Sequence, residues 1–306
     1  MAYAWCLGGD FPQRPFLLAR GYGWADRENL EPVHPDSLFR IGSVSKVITT
    51  VAVLKLIQDN RASLDQPVFT ILNDLSPLSG QMARNVNQVT LRNLLQMSSG
   101  WYTQVIDPMF GPWSSRMLYY LNDNIPPDCV TAAQLMMGMP LQFRPGTQYS
   151  YSNLNYCILG LVVNKLAGTN YDYKTYENYV KQAVLAPAGI TSMQIGDTLP
   201  QNRAPGEVKY YRYGSTRADA NNAVDNMAKI DGLPYGEAQI LQKNFSDGGW
   251  IASAIDLVKF LDGLSTYKIL NPTMMRIMLA RPSFQQKTEG YSSMAWVIKN
   301  TAGHTY

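Results

Sequence analysis

Ser43-Val44-Ser45-Lys46 and Tyr151-Ser152-Asn153 bring together a hydroxyl, an amine and a phenol. A serine so accompanied could act as a nucleophile, with lysine and tyrosine as its proton acceptors. The chain has only two histidines, His34 and His304, so a Ser-His-Asp triad has little room and the base must be sought elsewhere. Three residues are almost one helical turn, which puts Ser43 and Lys46 on the same face at the start of the helix that follows. The amino terminus of a helix favours negative charge, which would help an alkoxide form at Ser43 and, together with burial, would disfavour the charged form of Lys46 and move it toward a neutral base. The plainer use of the same residues is a helix cap at Ser43 with Lys46 in solvent. Tyr151 stands at a strand-like tip before a second apolar helix, with Asn153 as that helix's natural cap. Its plainer use is a half-buried tyrosine with its hydroxyl on water, and Tyr149 and Tyr156 have similar claims.

Neither motif is rare. Ser265-Thr266-Tyr267-Lys268 also has the S-x-x-K form, but it follows the end of a helix in a polar turn. Tyr120-Leu121-Asn122 and Tyr176-Glu177-Asn178 repeat the Y-x-N form. What sets the first pair apart is that both motifs fall at the start of an apolar helix.

From Ser43 the residues Val44, Val47, Ile48, Val51, Leu54 and Ile57 recur at helical spacing, and Ala52 and Val53 widen the stripe almost to the whole circumference. That helix is expected to be buried and to end near Asn60, which tolerates a left-handed conformation; Asp65-Gln66-Pro67 prevents its resumption. Upstream, Ala2 to Leu7 and Phe16 to Trp24 read as a hairpin about a Gly-Gly-Asp-Phe-Pro turn. Downstream, Val89 to Met97, Thr131 to Gly138, Asn153 to Leu166, Tyr171 to Leu185, a capped segment from Ser253 through Leu264, and Pro272 to Leu279 read as helices, with Pro145-Gly146-Thr147 a turn. Ser293 to Lys299 reads as a strand. The stretches Trp101 to Pro127 and Gln201 to Gln242 read as irregular, the second as a loop or small sheet insertion. Strands at both ends with helices between predict an α/β (α+β) protein: a sheet subdomain from residues 1–42 and 245–306, a helical subdomain over 43–200, and an insertion at 201–242. The cleft would lie at the joint.

At 306 residues and 46% hydrophobic content the chain can bury a substantial core. A net charge of +3, with basic residues scattered, points away from nucleic acid and anionic membranes and toward a small-molecule ligand. Cys6, Cys129 and Cys157 lie far apart with no C-x-x-C spacing, so each is expected to be a small core filler, with neither disulfide framework nor zinc site. No apolar run of about 18 residues is present for a membrane span. Met1 to Asp10 lack the features of a signal peptide, which leaves the compartment open, and the start of the chain directly in a strand suggests an incomplete amino terminus. There is no G-x-S-x-G, H-E-x-x-H or G-x-x-x-x-G-K-S/T, and Gly21-Tyr22-Gly23-Trp24-Ala25-Asp26 lacks the third glycine of a dinucleotide loop; no metal and no cofactor are expected.

Phe39-Arg40-Ile41-Gly42-Ser43-Val44-Ser45-Lys46, Leu64-Asp65-Gln66-Pro67-Val68, Thr90-Leu91-Arg92-Asn93-Leu94-Leu95, Pro145 through Asn153 and Gly248-Gly249-Trp250 occur in an order that resembles the class C β-lactamase-like serine hydrolases. These include penicillin-binding DD-peptidases and the family VIII esterases. The resemblance spans roughly residues 16 to 300. It implies an antiparallel sheet flanked by a mostly helical domain, and an acyl-enzyme on Ser43. Lys46 would be its partner, Tyr151 a general base or acid, and Asn153 a contact to an ester, amide or β-lactam substrate. One oxyanion donor would be the Ser43 N–H, the other a strand after a Lys- or His-x-Gly motif. Gly303-His304-Thr305-Tyr306 offers His304 but has tyrosine where that glycine belongs. Either His304-Thr305 is a degenerate version of the motif, or the strand Met294 to Lys299 only precedes the real one, which is the favoured reading. It carries with it the expectation that the family's last strands, its carboxy-terminal helix and a helix ahead of the first strand are absent. Gln96-Met97-Ser98-Ser99-Gly100 also departs from the His-Thr-Ser-Gly of relatives. The rival expectation is a non-catalytic binding or scaffold protein lacking the third motif.

Overall fold

One buried helix, α1 (Ser45–Gln58), organises the molecule. The computed structural model describes residues 3–7, 18–102, 108–109, 128–168, 170–198, 200–210, 242–286, 290–301 and 304–305. Ile48, Val51, Ala52, Val53, Leu54 and Leu56 of α1 are all buried, because its apolar residues run around the whole helix and leave no face suited to water. The helix stops where Asn60 turns left-handed at φ +57° and the Arg61 N–H bonds back to the Leu56 carbonyl, as its sequence predicts.

The other helices follow in order: α2 (Val68–Ile71), α3 (Leu91–Leu95), α4 (Cys129–Met137), α5 (Asn153–Ala167), α6 (Tyr173–Val180), α7 (Ala254–Ser265) and α8 (Pro272–Leu279). Capping explains several starts. Thr90 and Asn93 form a reciprocal box at α3, as Ser253 and Asp256 do at α7. α5 packs against α1, α3, α4 and α6 and is almost wholly buried. Gly160 allows its approach to the loop before residue 250: a Cβ there would lie 2.2 Å from Ser246 Oγ.

The strands are antiparallel and fall into four small sheets among the described residues. β1 (Tyr3–Leu7) and β2 (Leu18–Tyr22) form the expected amino-terminal hairpin, in register Tyr3 to Tyr22, and α7 lies against β1. β3 (Trp24–Asp26) pairs with β4 (Glu31–Pro32). β5 (Phe39–Arg40) and β6 (Gln194–Ile195) flank β7 (Trp250–Ala252), joining segments far apart in sequence. β8 (Gly290–Ser293), β9 (Trp296–Thr301) and β10 (His304–Thr305) form the last sheet. The result is a mixed fold of helices and antiparallel sheets.

Three expectations are corrected. Ser293 to Lys299 is not one strand: Met294 and Ala295 adopt φ +44° and +70° and make a two-residue hairpin turn between β8 and β9. Non-glycine residues in a turn of that hand give no sequence signal. Cys129 and Cys157 are not separate core fillers but a disulfide, since α4 and α5 lie side by side and bring their Cα atoms to 5.3 Å. Asn153 is not the cap of α5. Ser152 is, its Oγ accepting the Asn155 N–H, so the Asn153 side chain is available for another role. The expected irregular stretches at 101–127 and 201–242 lie largely outside the described residues.

Candidate active site

Ser43 occupies a 3₁₀ turn (Gly42–Val44) that runs directly into α1. Gly42 has φ +50°, a conformation that costs a glycine nothing and lets the chain leave β5 and turn sharply into the helix. The turn is fixed from below. The Ile41 N–H bonds the Trp250 carbonyl, and Ser45 Oγ receives the Trp250 N–H at 3.2 Å. Ser43 makes no side-chain cap to the helix, so its hydroxyl is left at the surface.

Lys46 lies one turn further on and is 1% exposed. Its Nζ donates to Ser43 Oγ at 3.1 Å, Asn153 Oδ1 at 2.8 Å and the Asp247 carbonyl at 2.7 Å. Three acceptors match the three N–H donors of an ammonium, which is how so polar a group is held without water. Nζ also sits over the Tyr151 ring, 5.2 Å from its centroid. Thr49 donates to the Ser246 carbonyl, so the first turns of α1 hold the 246–250 loop through Ser45, Lys46 and Thr49.

Tyr151 arrives from the other side, on the extended segment that ends at the Ser152 cap. Its hydroxyl donates to Ser43 Oγ at 2.7 Å while the residue as a whole remains 42% exposed. Of the two rival tyrosines, Tyr156 is fully buried in α5. It bonds Thr50 and the Leu95 carbonyl, and burial pushes its phenol far above the usual range. Tyr149 lines the cleft and bonds Met97 Sδ at 3.4 Å. Burial raises its phenol, partly offset by the Ser292 hydroxyl and reinforced by Tyr151. The other described Y-x-N tyrosine, Tyr176, is buried in α6 against Thr49 and Trp250. Ser43, Lys46, Tyr151 and Asn153 are thus brought together, within 3.1 Å along each link.

The Beta-lactamase family model matches residues 16–306. This chain belongs to that family. A curated relative, the probable fimbrial assembly protein FimD, serogroup H1, of Dichelobacter nodosus, is 28% identical over 231 residues, covering 72% of this chain and 51% of that protein. The chain therefore spans about half the length of the curated relatives it matches. Among solved structures, a penicillin binding protein from Bacillus halodurans superposes with a TM-score of 0.68 at 21% identity, over 99% of this chain and 80% of that one. The D-amino acid amidase from Ochrobactrum anthropi SV3 gives 0.64 at 22%, over 96% and 76%. Both establish likeness of fold.

In this Beta-lactamase family chain the cleft beside Ser43 holds about 230 Å³. Among the described residues, Leu95, Gln96 and Met97 form part of its wall, and the β8–β9 hairpin from Ser292 to Val297 forms another part. That hairpin is pinned to α1, because Thr50 Oγ1 donates to the Met294 carbonyl at 3.1 Å. Sequence reading missed this wall, along with the Asp247 carbonyl that completes the lysine's bonds. Asn153 stands behind Lys46 and outside the cleft lining. His304 lies on β10, opposite Thr301 of β9, at the far end of the sheet from the hairpin turn. Among the described residues no helix is long and apolar enough to cross a membrane.

Proposed function

We propose that the protein is a serine hydrolase that forms an acyl-enzyme at Ser43 on an ester or amide carbonyl. The observation that carries this reading is the 2.7 Å contact between Tyr151 and Ser43 Oγ, with buried Lys46 donating to the same oxygen. In the reacting state Tyr151 has given up its own proton to solvent; Ser43 Oγ attacks the carbonyl carbon, forming a C–O bond while the carbonyl π bond opens to an oxyanion, and the serine proton passes to the Tyr151 phenolate oxygen. The oxyanion develops beside the Ser43 N–H at the start of α1, where the helix favours negative charge. The carbonyl re-forms, and the alcohol or amine departs with the proton from Tyr151. Water then repeats the sequence in reverse roles, with Tyr151 taking its proton and returning one to Ser43.

Lys46, whose three donors are all engaged, acts in this scheme as a fixed positive charge. It stabilises deprotonated oxygen on either Ser43 or Tyr151. Asn153 and the Asp247 carbonyl position it. The family membership and the amidase-like fold are consistent with carbonyl chemistry of this kind. The test is covalent labelling with a fluorescent fluorophosphonate: wild type should label and Ser43→Ala should not. Equal labelling of both would remove Ser43 from the role.

A further inference from the structure

Within the hydrolase reading above, we infer that Tyr210, held by Glu207, is a positioning residue for the nucleophile: its hydroxyl pins the outer edge of the strand that delivers Ser43. β5 pairs with β7 along one edge, Phe39 opposite Ala252 and Arg40 opposite Ile251, and the Ile41 N–H meets the Trp250 carbonyl just before the turn that holds Ser43. Along the other edge Leu38 donates to the Gly206 carbonyl and accepts the Val208 N–H, a parallel bridge centred on Glu207. Successive bonds along one edge of a strand fall two residues apart, so the next on this edge belongs to Arg40. Its N–H donates to a side chain, the Tyr210 hydroxyl, at 2.9 Å.

That hydroxyl is itself fixed. It donates to Glu207 Oε1 at 2.9 Å, and Glu207, 4% exposed, accepts the Ala204 N–H on Oε2 at 3.1 Å. The Arg40 guanidinium lies 4.4 Å from the centre of the Tyr210 ring and donates to the Asp197 carbonyl at 3.2 Å, just past β6. Main chain and side chain of Arg40 thus grip the same phenol. Only Ile41 and Gly42 separate Arg40 from Ser43. A strand bonded along one edge alone can pivot about that edge, and the 2.7 Å contact of Ser43 Oγ with Tyr151, which comes from another segment, leaves little room for it. Displacement of a reacting group by about 1 Å can cost about 10²-fold in rate. Tyr210 acts here through the main chain of β5 and not on the reacting atoms.

The experiment follows the rate constant and the end point of covalent labelling of the full chain by a fluorescent fluorophosphonate, with Ser43→Ala as the background. Tyr210→Phe removes the acceptor of the Arg40 N–H and keeps the ring. Labelling should slow by about 10- to 100-fold while the end point stays at about one label per chain, and kcat on p-nitrophenyl butyrate should fall by a similar factor with KM within about threefold of wild type. Tyr171→Phe is the control: it removes a phenol hydroxyl bonded to the exposed Asp74 carboxylate at 2.7 Å, and its rate constant should match wild type. A merely structural role lowers the folded fraction, and so the end point, without changing the rate constant. Labelling of Tyr210→Phe at the wild-type rate constant, or an equal slowing in Tyr171→Phe, would overturn the positioning role and leave Ser43 as the nucleophile. Should Tyr210→Phe fail to fold by circular dichroism, Glu207→Gln decides. It keeps the side chain's size but offers one acceptor oxygen where the carboxylate uses two, and should slow labelling by about three- to tenfold; a wild-type rate constant again overturns the proposal. Failure of the wild-type chain to label at Ser43 would overturn both readings.

Discussion

The chain carries Ser-x-x-Lys twice, and the two copies behave oppositely. At Ser43 the motif opens a buried helix: the lysine is 1% exposed, holds three acceptors, and the serine meets a second hydroxyl from a distant segment. At Ser265 it closes α7. Ser265 Oγ turns back to the Asp262 carbonyl, and Lys268, its side chain 54% exposed, pairs with the Asp262 carboxylate at 3.1 Å. Identical spacing thus yields a candidate nucleophile in one place and a solvated helix end in the other. Burial of the lysine and arrival of Tyr151 make the difference, and neither is encoded in the four residues of the motif.

The widest separation between the two copies is expected at the lysines. Lys46→Met removes the charge beside Ser43 and leaves Asn153 Oδ1 and the Asp247 carbonyl without their donor. Turnover should fall about 10⁴-fold or more, the scale seen when one member of a catalytic unit is removed. Stability should fall by about 1–3 kcal/mol for each stranded group. Steady-state rates and urea unfolding measure the two effects, and a rate within tenfold of wild type would make Lys46 structural only.

Tyr151→Phe tests what the second motif lacks. Removing only the hydroxyl should lower turnover by about 10²- to 10⁴-fold with the fold intact, the range for lost acid–base catalysis. A nearly unchanged rate would pass the proton-accepting role to Lys46.

The disulfide sharpens the comparison from a distance. It closes a span of 28 residues that contains Tyr151 and Asn153 and ties α5 to α4. By loop-closure entropy, Cys129→Ser/Cys157→Ser should cost about 3.5 kcal/mol of stability. Chemical denaturation with and without reductant checks this, and no change would mean that packing of α4 on α5 suffices alone. The smallest effect belongs to Lys268→Ala. An exposed pair of this kind contributes about 0–1 kcal/mol, and activity should be unaffected.

Much of the site was legible because its signals are local. The uniform apolar circumference of residues 44–57 announced a buried helix, Asn60 its end, and the Pro-Gly turn with Tyr151 and Asn153 the second helix start. What escaped reading depends on contacts between distant segments. Cys129 and Cys157 pair only because two helices pack. The Asp247 carbonyl is a main-chain atom that any residue could supply. The cleft wall rests on left-handed Met294 and Ala295, residue types that do not advertise a turn. Asn153 was read as a cap because asparagine favours that position, yet Ser152, one residue earlier, takes it and turns the asparagine toward Lys46.

The central claim is that the first Ser-x-x-Lys, and not the second, carries the acyl group. Acid-quenching the protein during turnover of p-nitrophenyl butyrate, followed by proteolysis and mass spectrometry, tests it directly. A butyryl adduct of about one per chain on the peptide containing Ser43, absent in Ser43→Ala, is the predicted result. An adduct on the Ser265 peptide, or turnover that survives Ser43→Ala, would contradict it.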